Sequence, residues 1–338
     1  MSSVSHCVVL GAGLMGRLLA HSLARLGHRV DVYEAQGPDA LGSAARVAAA
    51  MLAPLAESAI TELPVVRMGQ HALKRWPELL HELQQPVFFQ QNGTLIVWHR
   101  QDASEAQRFA QLLARTQTQL PSLPALQSLE NTALAEKEPA LQDRFQNALY
   151  LPEEGQLDNR QLLASLLDSL QTQGVGLHWN SAKSPEDFSP GNTGQPDWVF
   201  DCRGLGARQE WSALRGVRGE VIRLHAPEVT LQRPTRLIHP RYPIYIAPKP
   251  DHMFVIGATE IETEDLSPAS VRSTLELLSA AYTVHSGFAE ARILEMSSQC
   301  RPAFNNNLPK IYSLFVSVTY LKRPARSQAR QYLSQKLR

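Results

Sequence analysis

Near the start of the chain an apolar strand, Val8-Val9-Leu10, runs straight into Gly11-Ala12-Gly13-Leu14-Met15-Gly16, and an apolar helical pattern follows. This is the G-x-G-x-x-G turn of a dinucleotide-binding βαβ unit. Each glycine has its own reason. Gly11 permits the tight turn, Gly13 lets backbone approach a pyrophosphate, and Gly16 lets helix and strand pack closely. The helix start then presents free N–H groups and a partial positive charge to phosphates. The pattern over 14–26 predicts an amphipathic helix closed by Gly27. Residues 29–33 read as a second strand, with Glu34 at its end where an acid holds ribose hydroxyls. Such a turn calls for a dinucleotide without separating FAD from NAD.

The length of 338 residues allows two domains or one large α/β unit, and 43% hydrophobic content is enough for a real core. A net charge of +1 gives no electrostatic case for a nucleic-acid or membrane partner. Cys7, Cys202 and Cys300 lie far apart with no metal spacing, so no metal is expected. Few cysteines and no recognisable signal peptide point to the cytoplasm.

The run Ala44-Ala45-Arg46-Val47-Ala48-Ala49-Ala50-Met51-Leu52-Ala53-Pro54 has two readings. Alanine favours a packed helix, and small side chains also let backbone lie against a flat ring system. A helix is expected over 64–83 with a break near Pro77, then a hairpin about Asn92-Gly93 and a helix over 103–117. Asp158 suits the N-cap of a helix over 161–173. Residues 198–202 read as a buried strand ending in Arg203-Gly204-Leu205-Gly206-Ala207, either a plain turn or a ligand-bearing strand end. From Gly219 the pattern is strand-rich, with one helix opening at Ser267-Pro268 and a last strand leading to Arg301-Pro302.

The fold class expected is α/β. A Rossmann-type, mostly parallel nucleotide domain (1–86, 145–215 and 300–338) carries an inserted α+β, mainly antiparallel substrate domain (87–144 and 216–299).

Several of these stretches together resemble one family. They are the Gly11 turn, the 44–54 run, Gly155-Gln156-Leu157-Asp158, 201–207, the Tyr245 strand, Gly257-Ala258-Thr259, Arg301-Pro302 and Leu308-Pro309. Over roughly residues 4–311 the chain resembles the glycine oxidase, thiamine-biosynthesis branch of the D-amino-acid oxidase family of FAD enzymes. The resemblance implies FAD, not NAD. It assigns Gly11, Ala12, Gly13, Leu14, Met15, Gly16, Glu34 and Ala35 to the ADP half. It sets Ala44, Ala45, Ala49, Ala50 and Met51 along the pyrophosphate and flavin, a backbone contact near Lys183 at the adenine, and Gly204 against the cofactor. Arg301 would clamp a substrate carboxylate and Tyr245 would share the task.

The implied reaction is oxidation of glycine or another small amino acid. Hydride passes from Cα to flavin N5, an imine forms, and O2 reoxidises the flavin to give hydrogen peroxide. The cofactor carries this chemistry, so no side chain is nominated as catalytic. The resemblance also implies a supply of imine for the thiazole of thiamine, and a homo-oligomer.

Read alone, the residues are blander. Arg301 beside a proline reads as a surface ion-pair residue. Tyr245 alternates with Ile244 and Ile246 and reads as a core or interface tyrosine. Glu260 reads as a solvated strand-end acid, and His239 and His252 as structural.

The chain also departs from the family pattern, which ends in a strand, a glycine-rich turn and a helix. No glycine follows Gly287, and a basic run occupies 322–338, the usual sign of a solvated face. This predicts a flavin edge less well covered and, as an alternative function, an FAD-binding chain with impaired or lost catalysis. A second alternative, on the Gly11 turn alone, is an NAD-dependent dehydrogenase.

Overall fold

The computed structural model describes residues 4–312. The chain opens with β1 (His6–Leu10), α1 (Leu14–Arg25) and β2 (Arg29–Tyr33). Next come α2 (Ala44–Val47), β3 (Met51–Leu52), a 3-10 turn at Ala56–Ala59, α3 (Leu63–His81) and β4 (Phe89–Gln90). They are followed by β5 (Thr94–Trp98), α4 (Ala103–Gln119), β6 (Gln127–Glu130), α5 (Asn131–Lys137), β7 (Asn147–Leu151) and β8 (Gly155–Leu157). Then come α6 (Asn159–Thr172), β9 (Gly176–His178), β10 (Trp198–Asp201) and β11 (Arg215–His225). The described chain closes with β12 (Thr235–Ile238), β13 (Ile244–Lys249), β14 (Met253–Gly257), α7 (Val271–Val284) and β15 (Arg292–Ala303).

The first sheet is parallel, in the order β10-β1-β2-β9. Its central strand is the apolar run of the opening motif, and Val8, Val9 and Leu10 are buried as that position demands. Ala20 of α1 and Leu170 of α6 pack on Val9, Val30 and Val32 in one apolar cluster. The strand at 198–201 differs from expectation: it is the outer strand of this sheet, and Trp198 is exposed.

The second sheet has eight strands, in the order β15-β11-β14-β13-β12-β5-β7-β6, antiparallel except where β12 meets β5. Strand alternation divides its residues between two faces. On one face Leu95, Val97, Leu237, Ile244, Ile246 and Ile256 pack under α5 and α7. On the other, Ile96, Ile238, Leu149 and Leu151 pack against Phe109 and Leu113 of α4 and against Ala53, Leu55 and Ala56. Further along that face, Val221, Ala247 and Val255 meet Val47, Ala49 and Met51. Both β7 and the whole of β15 belong to this large sheet.

Four local expectations are corrected. The Asn92-Gly93 turn is not a hairpin, because β4 pairs with β8 in a small sheet (β3-β8-β4) while β5 joins the large one. Gly93 has φ +86 and donates to Glu154 O at 2.8 Å, so the turn hands the chain from one sheet to the other. A Cβ there would stand 2.2 Å from the Tyr150 ring. The alanine run is not one helix: α2 ends at Val47, Ala50 takes φ +56, and β3 follows. Helix α7 begins at Val271, capped by Ser270 Oγ, which accepts from Ser273 N at 3.1 Å; Pro268 lies ahead of it. Pro77 sits inside α3, which continues to His81.

Candidate functional site

The C-terminal ends of β1 and β10 meet at the glycine turn. Gly11, at φ +91, donates its N–H to Tyr33 O at 2.7 Å, and a Cβ there would lie 2.8 Å from Cys202 O. A Cβ on Gly16 would lie 1.8 Å from Gly11 O, so only glycine lets α1 close onto the turn. Gly13 is the N-cap of α1, with no side-chain cap and no acid in the first turn. The helix start therefore offers its N–H groups and its dipole to an anion. The Glu34 carboxylate accepts from Ala12 N at 2.7 Å and Gln36 N at 3.0 Å, which brings the β2 acid to the turn. Ala35 is exposed beside it. The 180–181 backbone runs alongside, Asn180 N to Gln36 O at 3.0 Å and Ser181 N to Glu34 O at 2.8 Å, with Lys183 just beyond.

Arg17 lies buried beneath this turn. It donates to Ala12 O at 2.7 Å, Leu163 O at 2.6 Å and Pro38 O at 2.6 Å. Burial pulls its pKa down, against the attraction of Glu34 and Asp39.

The 44–51 segment lies between the start of α6 and the face of the large sheet. Its carbonyls are collected by the side chains of Asn159, Lys249 and Arg160, the last through Nε to Arg46 O at 3.4 Å. Buried Asn159 donates to Ala45 O (2.5 Å), Arg46 O (2.9 Å) and Ala48 O (2.9 Å), while its Oδ1 accepts from Arg223 at 3.0 Å. Lys249 Nζ donates to Ala49 O at 3.1 Å, Gln156 Oε1 at 3.0 Å and Leu157 O at 2.8 Å. Burial pushes that ammonium down to about 7, against the pull of Asp158. Arg160 forks onto Glu295 at 2.8 and 2.7 Å, and that pairing leads the causes that lower Glu295 to about 2. Asp158 caps α6, accepting from Arg160 N and Gln161 N at 2.8 and 2.9 Å.

Tyr245 and Arg301 point from the same face of the large sheet. Tyr245 shares a row with Gly257, Val221 and Ser297, and Arg301 stands four residues beyond Ser297 on β15. Their partners are separate. The Tyr245 hydroxyl donates to Glu57 and accepts from Arg236 Nη1 at 2.5 Å. Arg301, 60% exposed, pairs with Glu260, itself 56% exposed. Gly204 (φ +61) begins the turn after β10, and a Cβ there would stand 3.7 Å from the Pro302 ring, beside Arg301. Gln299 reaches across to Gly42 O at 3.2 Å, tying β15 to the loop ahead of α2. Glu154 is buried below the 55–56 turn, accepting from Leu55 N and Ala56 N at 2.8 and 2.9 Å; burial raises it to about 7.

This layout matches known proteins over most of its length. The family model described as FAD dependent oxidoreductase matches residues 6–321. The chain belongs to the FAD dependent oxidoreductase family. It is 38% identical over 305 residues to an oxidoreductase of Rhizobium etli assigned by name to thiamine biosynthesis, ThiO, covering 90% of this chain and 86% of that one. It is 24% identical to glycine oxidase of Geobacillus kaustophilus over 89% of this chain and 82% of that one. The crystal structure of that enzyme superposes with a TM-score of 0.75 at 22% identity, over 90% of this chain and 85% of that chain, which shows the shared fold.

FAD is therefore the cofactor of this oxidoreductase of the glycine oxidase and ThiO type, and the NAD alternative falls away. The donor set fits a flavin dinucleotide: a turn free of Cβ, an uncapped helix start and a carboxylate at the end of β2. The expected glycine-poor turn and basic run from about residue 313 lie outside the described residues. Among the described residues no group of His, Cys, Asp and Glu could hold a metal ion, and no helix is long and apolar enough to cross a membrane.

Sequence reading missed Asn159, Arg17, Lys249, Glu154, Glu57 and Arg236. One signal was available for one of them, Arg236, and for Arg223 on the same face. Arg236 and Arg223 are charges inside apolar strands, and period-2 alternation puts both on the Tyr245 face.

Proposed function

We propose that this FAD enzyme oxidises a small amine bearing a carboxylate, glycine or a close relative, to the imine, with O2 reduced to hydrogen peroxide. The observation that carries the reading is a tyrosine hydroxyl set among charged groups on the face that the 44–51 segment covers. The ThiO and glycine oxidase relatives support the substrate class and a role in supplying imine for the thiazole of thiamine.

The residue roles follow from what each group offers. Gly11, Ala12, Gly13, Leu14, Met15 and Gly16 present backbone to the diphosphate, and Glu34 with Ala35 borders the ribose. The backbone near Lys183 borders the adenine. Ala44, Ala45, Ala49, Ala50 and Met51 give a low surface for the flavin, and Gly204 lets backbone approach it. Bound FAD supplies a two-electron acceptor that takes hydride from the substrate Cα. Arg301 and Tyr245 fix the carboxylate and so aim the Cα–H. Burial and the Glu57 carboxylate push the Tyr245 phenol well above its usual value, so the hydroxyl keeps its proton and stays a donor. The two functional parts follow the sheets: a nucleotide part about the parallel sheet, and a substrate part about the large sheet that takes in β7 and β15.

The test is an absorption spectrum followed by anaerobic addition of glycine, sarcosine and D-amino acids. Bound flavin that bleaches, with peroxide released once air is admitted, is the expected result. A yellow protein that none of these amines bleaches would overturn the substrate reading and leave a flavin-binding chain without catalysis.

A further inference from the structure

The cluster about Tyr245 holds more charge than a carboxylate-binding tyrosine needs. Arg236 stands directly across from Tyr245 in the β12/β13 register. Its guanidinium lies 4.7 Å from the Phe109 ring centre and 4.9 Å from that of Tyr245, so the two rings hold it in place. Nη1 donates to Ala56 O at 3.1 Å and to Tyr245 Oη at 2.5 Å, and lies 3.5 Å from Glu57 Oε1. Among the described residues its Nε is buried with no hydrogen-bond partner. Arg236 is only 9% exposed, whereas the Glu57 side chain is 41% exposed on a one-turn 3-10 segment.

That asymmetry separates the cluster from the ion pair of Arg233 and Glu138. Arg233 and Glu138 are both buried, and their donors are matched: Arg233 bonds Glu138, Lys137 O and Asn92 O, and Glu138 also accepts from Gln232 N. Such a pair is closed. At Arg236 the cation is fixed and incompletely partnered, and the anion can turn out to water at little cost. A carboxylate held at a tyrosine hydroxyl beside a guanidinium is also the arrangement a substrate carboxylate would adopt there.

Resting on the reading that the substrate carries a carboxylate, we infer that Arg236 and Tyr245 together receive that carboxylate, and that Glu57 occupies their place until the substrate displaces it. Arg236 is then a substrate-binding residue in addition to Arg301, and Glu57 an internal competitor. Amines without a carboxylate cannot displace Glu57 in this way, so the exchange selects for amino acids over simple amines.

Acetate is the probe, since it has the carboxylate and no amine to oxidise. It is titrated into the FAD-loaded enzyme by calorimetry and by the flavin absorption shift, with Glu57→Gln, Arg236→Lys and Arg236→Met compared with the parent. Removing the competing charge tightens acetate about tenfold in Glu57→Gln, and Arg236→Met weakens it by about tenfold or more, with Arg236→Lys between. With glycine, Glu57→Gln lowers KM. Acetate affinity unchanged in both Glu57→Gln and Arg236→Lys, or weaker in Glu57→Gln, overturns the inference. Should Arg236→Met fail to fold, the other two variants still decide. Normal glycine oxidation with no Glu57 or Arg236 effect rejects this inference alone. Acetate binding that follows the expected order in a protein that bleaches with no amine rejects the substrate reading alone.

Discussion

The two ends of the site are built differently. At the Gly11 turn the chain offers main-chain groups from one short stretch, and the constraint is what must be absent: a Cβ. On the face of the large sheet it offers side chains from strands far apart in sequence, and the constraint is what must be present. Charged groups there are held by carbonyls, rings and one another. A backbone site is therefore broken by adding atoms, and a side-chain site by taking partners away.

The largest expected effect tests the first half of that contrast. Gly16→Val forces a side chain against Gly11 O, where even a Cβ has only 1.8 Å. The fold should lose about 3 kcal/mol, the upper end for a forced side chain. Flavin absorbance of the purified protein should vanish with it. A yellow variant with parental Tm would break the comparison.

The second half predicts a proton dependence. Glu154 is pushed from 4.5 to about 7 by burial. In the fold it keeps its proton up to about pH 7, while unfolded it loses it near 4.5. The contribution is fully present below 4.5 and is lost as pH rises through about 7. The loss is on the order of 3 kcal/mol, at 1.36 kcal/mol per pKa unit. Urea midpoints measured across that range should fall in the parent relative to Glu154→Gln.

Asn159→Ala removes two N–H donors shared among three carbonyls of the 44–51 segment, of which Arg46 O keeps Arg160 Nε at 3.4 Å. At about 1 kcal/mol for each lost N–H donor, stability should drop by ~2 kcal/mol. ADP serves as the discriminating probe here: its affinity should match the parent while FAD binds more weakly. Equal loss for both ligands would merge the two regions into one. The smallest effect is expected at Arg301, whose side chain is mostly exposed. Arg301→Lys should raise KM for glycine about tenfold, a partial loss of a charged hydrogen bond, with FAD content unchanged.

How much could be read beforehand follows the same division. The Gly11 turn, the β2 acid and the Asp158 cap were legible because each rule acts within a few residues. The Asn92-Gly93 turn misled for a physical reason. Positive φ at Gly93 serves any reversal, and Tyr150 and Glu154, some sixty residues on, decide which sheets the arms join. The alanine run stayed ambiguous because its conformation is imposed from outside by Asn159 and Lys249. Neither donor carries a local pattern; each is a lone polar residue whose partners are carbonyls, which every sequence supplies alike. Arg236 was missed for want of a motif, since the pairing of β12 with β13 is what sets it beside Tyr245.

The hold on the 44–51 segment has a consequence in time. The β1-α1-β2 unit closes on itself once Tyr33 and Glu34 exist, through Gly11 N to Tyr33 O and Ala12 N to Glu34. Ala45 must wait for Asn159, 114 residues later, and Ala49 for Lys249, 200 residues later. At a synthesis rate of roughly 5–20 residues per second, the last of these arrives about 10–40 s after the segment it secures. On the ribosome, the glycine turn is thus shaped early, and the 44–51 segment is fastened only when most of the large sheet has been made.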